Sequence, residues 1–328
     1  MPNRSDTLPR LGPVAQTLLK QGCLKEGVLQ SLPLPADEII HGETLIETGL
    51  ISRAELMECM ARALKDEIDH YEGQDAQSAT AIELKNVRKH LDGRTVLDGV
   101  NLEIPEGKIT AIIGVSGGGK SVTLKHMIGL MRPDSGEVLV GNQPIHKLSG
   151  KALRKTRGRF GMLFQGGALF DSHNVFDNVA FPLREHGVLD EAAITERVEQ
   201  YLAEVHLQGM GDKFPDELSG GMLKRAALAR ALALEPEIIL LDEPTAGLDP
   251  IIENAIHHLI AYTFIQHRYT MVFISHAVPE IFNWCHHVVV LHDGKVLEAG
   301  PASQVRASQH PVIRQFVQGD LEGPIKVI

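Results

Sequence analysis

The segment GVSGGGKS, Gly114 to Ser121, follows the pattern G-x-x-x-x-G-K-[ST] and governs the reading of everything around it. Before it stands Ile109-Thr110-Ala111-Ile112-Ile113, an apolar run that predicts a buried strand, and after it Val122 to Leu130 predicts a helix. A strand, a glycine-rich turn and a helix start together aim the partial positive charge of the helix N-terminus at whatever the turn holds. Gly117, Gly118 and Gly119 let backbone N–H groups close on phosphate oxygens where a Cβ would clash. Lys120 adds a point charge, Ser121 a hydroxyl for a divalent cation, and Gly114, Ser116 and Val122 complete the candidate phosphate site. The chemistry is that of a nucleoside triphosphate with Mg²⁺, and ATP is the expected cofactor.

Two further segments follow in a fixed order. IILLDE, Ile238 to Glu243, is a buried-strand run ending in adjacent carboxylates. Asp242 is placed to hold the metal's water shell, and Glu243 to orient and activate the attacking water. Between them LSGGM, Leu218 to Met222, sets Ser219, Gly220 and Gly221 at the start of a helix over Leu223 to Ala233. That is a second anion-binding helix start, for which one chain has no second phosphate. A second subunit would supply it.

With these three segments the chain resembles the nucleotide-binding subunit of ABC transporters, over residues 82 to about 300. The resemblance implies an α/β P-loop NTPase fold, with a RecA-like core, an antiparallel β subdomain and a helical subdomain. It also implies ATP hydrolysis by a homodimer in which each phosphate loop faces the partner's LSGG. Gln165, in LFQGG, matches the Q-loop and carries catalytic and metal-binding roles there. Ala246 to Asp249, AGLD, matches the D-loop, with Asp249 at the nucleotide, and His276 matches the switch histidine, after a strand over Thr270 to Ser275. One departure stands in Lys89-His90-Leu91-Asp92, where Leu91 occupies the place of an adenine-stacking Tyr or Phe. Either His90 stacks on the base or apolar contact holds it.

A branch of the family is also suggested. QGGALFDSHNVFDNVAFPLREH (Gln165 to His186), LSGGM in place of LSGGQ, GKSV, and VIRQFVQGDLEGP (Val312 to Pro324) resemble the ATPases of Mce-type lipid transporters. That resemblance implies phospholipid or another hydrophobic cargo, an integral membrane permease (MlaE-like) and an Mce-domain lipid-binding protein. It further implies a STAS-domain protein on the ATPase and a peripheral place on the cytoplasmic face of the bacterial inner membrane. Leu169 to Glu185, with three Phe and two Val among acids and amides, is the expected docking groove for the permease, half of its apolar residues being assigned to the core. The alternatives are a transporter of another solute and a soluble ABC ATPase without a permease.

Composition narrows the field. The chain has 328 residues, is 43% hydrophobic and carries a net charge of -10, so it lacks the basic stripe that nucleic-acid binding needs. It has no run of about 18 apolar residues that would span a membrane. His257-His258 and His286-His287 are adjacent pairs that point apart, which predicts structural or solvated roles in preference to metal ligation. Cys23, Cys59 and Cys285, odd in number and widely spaced, predict reduced thiols.

The expected organisation is a small all-helical N-terminal module over 1–71, a polar linker over 72–81, the ATPase over 82–300 with its helical subdomain at about 150–233, and a tail over 301–328. Thr17 to Leu24 and Thr44 to Ile51 align at a spacing of 27 residues, a degenerate helical repeat, and Ser52 with Glu55 forms a capping box. The second copy resembles the N-terminal helical module of type II secretion and type IV pilus ATPases, a docking element. The module reads as a non-catalytic appendage whose removal leaves hydrolysis intact. His292-Asp293-Gly294-Lys295 predicts a hairpin turn.

Overall fold

The computed structural model describes residues 10–29, 39–40, 42–71, 79–187, 189–276, 278, 280–320 and 322–325. The polar stretch expected as a linker lies, at 72–78, outside the described residues. Two compact units emerge: Met1–Glu67 with Asn254–Arg268, and Ile68–Glu253 with Tyr269–Ile328. Residues 254–268, read from the sequence as part of the ATPase, thus cluster with the N-terminal residues.

In the first unit, β1 (Arg10–Leu11), α1 (Pro13–Lys20) and α2 (Glu26–Leu29) are followed by β2 (Ile39–Ile40), α3 (Gly42–Glu47) and α4 (Arg53–Asp69). The 27-residue repeat is visible in the backbone. Gly22, Cys23 and Leu24 donate N–H bonds to Leu19, Leu18 and Leu18, while Gly49, Leu50 and Ile51 donate to Ile46, Leu45 and Leu45. The same turn closes both helices, each time passing through a left-handed glycine. The module is not all-helical, because β1 and β2 pair in parallel. Ser52 and Glu55 form the capping box, Ser52 N–H donating to Glu55 Oε2 at 2.9 Å and Glu55 N–H to Ser52 Oγ at 3.3 Å. Leu56, Met60 and Leu64 bury one stripe of α4 with Val14, Leu18 and Leu45.

The expectation of three reduced thiols is overturned here, since Cys23 and Cys59 form a disulfide 36 residues apart in sequence. The turn after α1 and the middle of α4 bring the two sulfurs together, a tertiary adjacency that spacing does not encode. Cys285 stays free and buried, its thiol pushed well up by burial.

The second unit opens with β3 (Thr80–Leu91) and β4 (Arg94–Pro105), which with β6 (Ser135–Val140) and β7 (Gln143–Pro144) make an antiparallel sheet in the order β4-β3-β6-β7. The main sheet runs β12-β11-β5-β10-β9-β8, from β5 (Ile109–Ile113), β8 (Phe160–Leu163), β9 (Ile238–Asp242), β10 (Thr270–Ile274), β11 (His287–His292) and β12 (Lys295–Pro301). Every pairing is parallel except that of β11 with β12. The last two strands meet in the expected turn at Asp293-Gly294. All residues of β5, β9 and β10 are buried, which is why they are runs of aliphatics and not alternating patterns.

The remaining helices are α5 (Lys120–Met127), α6 (Gly150–Arg157), α7 (Val175–His186), α8 (Glu191–Glu204), α9 (Gly220–Leu232), α10 (Pro250–His267), which falls in the first unit from Asn254 onward, α11 (Ala302–Arg306) and α12 (Pro311–Gln318). Of these, α7 to α9 make the helical subdomain. α5 starts two residues earlier than expected, so Lys120 and Ser121 belong to the helix itself. Ser219 caps α9 through its hydroxyl, which accepts from Met222 N–H at 3.4 Å. Among the described residues no helix is long and apolar enough to cross a membrane.

Candidate functional site

Register dictates where the chemistry gathers. Ile274 of β10 pairs with Asp242 of β9 and with Ile112 of β5, and Leu163 of β8 pairs with Leu241. The C-terminal ends of four neighbouring parallel strands therefore coincide, and the loops that follow carry Gly114, Gln165, Glu243 and His276. Ligand sites in open parallel sheets form at that edge.

The phosphate loop is fixed by steric exclusion. Gly114 has φ +151°, and a Cβ there would fall 2.0 Å from the Leu291 carbonyl oxygen. At Gly119, φ +96°, a Cβ would meet Val96 O at 2.9 Å and Leu97 Cδ2 at 2.8 Å. Glycine is thus required at both positions by the strands packed against the loop. Lys120, largely buried, donates to Gly114 O and Val115 O, each at 2.9 Å. Burial lowers its pKa, opposed by the charges of Glu243 and Asp242. Ser116 and Gly117 are exposed at the loop tip, Gly118 is buried, and Val122 lies half-buried in the first turn of α5.

Asp242 and Glu243 differ sharply in surroundings. Asp242 is 8% exposed and accepts from Ser121 Oγ at 3.2 Å. Burial raises its pKa, the Ser121 hydrogen bond opposes that rise, and the neighbouring Glu243 charge adds to it. Glu243 sits just past the strand with φ +50°, a left-handed conformation that an ordinary side chain adopts only where its surroundings enforce it. Gln165 Nε2 donates to its Oε2 at 2.6 Å, and His276 Nε2 lies 2.7 Å from its Oε1. Three residues far apart in sequence meet on one carboxylate.

Not every expected residue joins this cluster. Ser219, Gly220 and Gly221 lie at the start of α9, where a Cβ on Gly221 would come 2.6 Å from Ile252 Cγ2 and one on Gly220 would lie 3.3 Å from Leu248 Cδ2. Asp249 caps α10, accepting from the Ile251 and Ile252 N–H groups at 3.1 Å. His90 is tethered at its backbone and at one edge of its ring. Its backbone N–H donates to Asp134 Oδ2 at 2.6 Å, its Nδ1 lies 3.2 Å from the same oxygen, and Lys89 Nζ bonds Asp134 Oδ1 at 2.7 Å.

Two residues with no sequence signal of their own stand behind the cluster. Lys224, 7% exposed on α9, donates to the carbonyls of Gln165 and, at 3.4 Å, of Glu243. Arg230, on the same helix, donates to Gly167 O and Ala168 O at 2.7 Å each.

The expected docking stretch is divided between core and surface. Val175, Val179, Ala180 and Leu183 are buried, whereas Phe170 and Phe181 are exposed at 41% and 37%, their rings 4.9 Å apart. They edge a cavity of about 280 Å³ that also involves Phe164 and Pro182. Buried Asn178 fixes the loop that presents Phe170, with its Oδ1 accepting from Phe170 N–H at 2.7 Å and its Nδ2 donating to the carbonyls of Phe170, His173 and Asn174.

A phosphate cradle, a buried Asp beside its Ser, and a Glu gripped from two sides at the end of one parallel sheet define a P-loop ATPase. The ABC transporter family model matches residues 97–246. The intermembrane phospholipid transport system ATP-binding protein MlaF of Escherichia coli K12 is 42% identical over 247 residues, covering 75% of this chain and 92% of that protein. The probable ribonucleotide transport ATP-binding protein mkl of Mycobacterium leprae is 43% identical over 245 residues, 75% of this chain and 71% of that one. Among solved structures, cbiO1 from Clostridium perfringens, part of the ABC transporter complex cbiONQ, has a TM-score of 0.64 at 32% identity and covers 70% of this chain and 92% of its own. A dimeric post-hydrolysis ATP-binding cassette bound to ADP and Pi has a TM-score of 0.61 at 32% identity, covering 67% and 98%. The chain belongs to the ABC transporter ATP-binding family and is an ATPase that binds nucleotide.

Proposed function

We propose that this ATPase drives phospholipid transport across the bacterial cell envelope, as a homodimer on the cytoplasmic face of the inner membrane with an integral permease and an Mce-domain lipid-binding protein. The observation that carries the chemistry is the Glu243 carboxylate held between Gln165 and His276, next to the Ser121–Asp242 pair. Ser121 hydroxyl and Asp242 carboxylate are hard oxygen donors of the kind Mg²⁺ takes, and Gln165 offers a third oxygen. Mg²⁺ bound there supplies positive charge to the phosphate oxygens. The Gly114–Ser121 amides and Lys120 bind and orient the triphosphate, and Glu243 accepts a proton from the attacking water. His276 and Gln165 hold Glu243 in the rotamer this needs. Ser219 to Gly221 head α9 as a second phosphate-binding element, which serves the nucleotide of a second copy, and Asp249 fixes the adjoining helix start.

The cargo assignment rests on MlaF, which this chain matches over 92% of its length, while the mkl relative is named for ribonucleotide transport. Partner docking falls to the Phe170–Phe181 surface. A second cavity of about 420 Å³, lined by Asp171, Phe214, Asp216 and Glu217, adds negative charge, so the fitting permease helix carries aliphatic or aromatic residues and a Lys or Arg.

Glu243→Gln tests the chemistry. It keeps the phosphate cradle and removes the proton acceptor, so ATP binding persists while turnover drops by about 10² or more; near-normal turnover refutes the assignment. Purification of the tagged chain from detergent-solubilised membranes tests the cargo, with a permease, an Mce protein and bound phospholipid as the expected result. A permease of another kind overturns the lipid reading and leaves the ATPase standing.

A further inference from the structure

The segment Gln165–Ala168 joins β8 to the loop that presents Phe170. Its backbone is not secured by a strand or a helix of its own. Three of its four carbonyl oxygens are instead bonded by cations of one helix: Gln165 O by Lys224, and Gly167 O and Ala168 O by the two ends of the Arg230 guanidinium. Ala168 has φ +49°, an uncommon conformation for a residue with a Cβ, and Gly167 beside it has φ +78°. Lys224 also reaches the Glu243 carbonyl, so a single ammonium touches the residue that grips the carboxylate and the residue that bears it.

Placing a lysine here is costly. It is 7% exposed, and burial depresses its pKa against the opposing charges of Glu243 and Asp242. A buried cation persists only where its donors are used. The helix that spends two cations on this segment is the one that begins at Ser219.

We propose that Lys224 and Arg230 are positioning residues that tie the Gln165–Ala168 segment to α9, so that the placement of the Gln165 side chain on Glu243 follows the position of the helix headed by LSGG. Engagement at the start of α9 and poise of the hydrolytic carboxylate thereby become one movement. The inference rests on the assignment of Glu243 as the proton acceptor.

The test measures steady-state ATPase activity of the purified full-length chain, with folding followed by thermal melting. Lys224→Gln lowers kcat about tenfold, the scale of a lost charge-assisted bond, and leaves KM for ATP within about twofold, because the phosphate cradle is untouched. A general structural role would also depress kcat, so a cycle with Gln165→Ala separates the two. In that background the side chain being positioned is gone, and Lys224→Gln changes kcat less than about twofold. A full multiplicative loss in that background, or unaltered kcat in Lys224→Gln alone, overturns the proposal. Should Lys224→Gln not fold, Arg230→Lys is decisive, since it keeps the charge but gives up the two-carbonyl fork: reduced kcat, unchanged KM and the same sub-additivity support the tie, and additivity refutes it. The Glu243→Gln measurement stands apart, so failure of the hydrolytic assignment and failure of the tie are read from different variants.

Discussion

Asp242 is a carboxylate that the fold keeps at an energetic disadvantage. Burial raises its pKa above the ordinary 3.8, more than the Ser121 bond lowers it. A raised carboxyl favours folding at low pH, where it is protonated, and that contribution is lost as pH rises through the folded pKa. At neutral pH the ionised group is therefore a liability retained for function. Asp242→Asn is predicted to abolish ATPase activity yet raise the urea midpoint at pH 7, with the gain shrinking as pH falls toward 3.8; a variant less stable than the parent at pH 7 contradicts this. A second prediction concerns the base. Residues 72–159 contain no Phe, Tyr or Trp, and Asp134 holds the exposed His90 ring by its Nδ1 edge beside Leu91. Stacking on a Phe, Tyr or Trp ring, worth about 1 kcal/mol, is then missing, so KM for GTP should lie within a few-fold of that for ATP, and Leu91→Tyr should lower KM for both about fivefold. A strong preference for ATP in the parent chain excludes it. The residues legible in sequence were those whose chemistry is local: the phosphate loop reads itself because its glycines, lysine and serine are contiguous. Lys224 and Arg230 were invisible, because a cation in a helix reads as solvated until the carbonyls opposite it are known.

Elements were legible where periodicity or turn chemistry was strong, as in the aliphatic runs of β5, β9 and β10, the Asp-Gly hairpin and the Ser52–Glu55 cap. The repeat in the N-terminal unit was legible too, since it recurs as the same hydrogen-bonded turn. Its disulfide was not. Cys23 belongs to the turn of the first copy and Cys59 to α4 of the second, so the bond cross-links the repeats and no short-range spacing announces it. Closing a loop of 36 residues removes chain entropy from the unfolded state, worth about 3–4 kcal/mol on the loop-closure model. The expected outcome is a calorimetric transition of the N-terminal unit that moves to lower temperature on addition of a non-thiol reductant and is already lowered, and reductant-insensitive, in Cys59→Ala. No difference between reduced and untreated chain would show that the bond contributes nothing to stability. At the same scale Pro182 inside α7 removes one helical donor, and the Phe170 loop is kept in place by four bonds to the Asn178 side chain. The exposed Phe170 is thus held by a buried residue of α7 eight positions along the chain, a division that the run of Phe and Val alone does not reveal.

At the scale of the molecule, the N-terminal residues share a unit with Asn254–Arg268, and this alters what acid and truncation should do. Gly42 approaches closely enough that a Cβ would meet Tyr262 Oη at 3.1 Å, and Arg268 pairs with Glu67 at 2.8 Å. Removing residues 1–78 therefore strips partners from the C-terminal half of α10, where Leu259 to Ile265 are all buried, and the truncated chain is expected to lose stability where a detachable appendage would not. His257 lies on the same helix, within the 254–268 stretch of this unit. Its pKa is lowered from 6.5 to about 4, chiefly by burial and further by the adjacent His258. For a histidine depressed in the folded state, stability is complete above 6.5 and declines as pH falls toward 4, since only the unfolded chain takes up the proton in that interval. The decline amounts to about 2 kcal/mol by pH 5. His287 in the other unit, also lowered to about 4 by burial, adds a decline of the same sign. Chemical denaturation at pH 7 and pH 5 should accordingly show both transitions weakening together, and His257→Gln should flatten the pH dependence of the unit containing residues 254–268 while leaving that of the other. Equal slopes in parent and variant would mean that the acid sensitivity of this unit comes from groups other than His257.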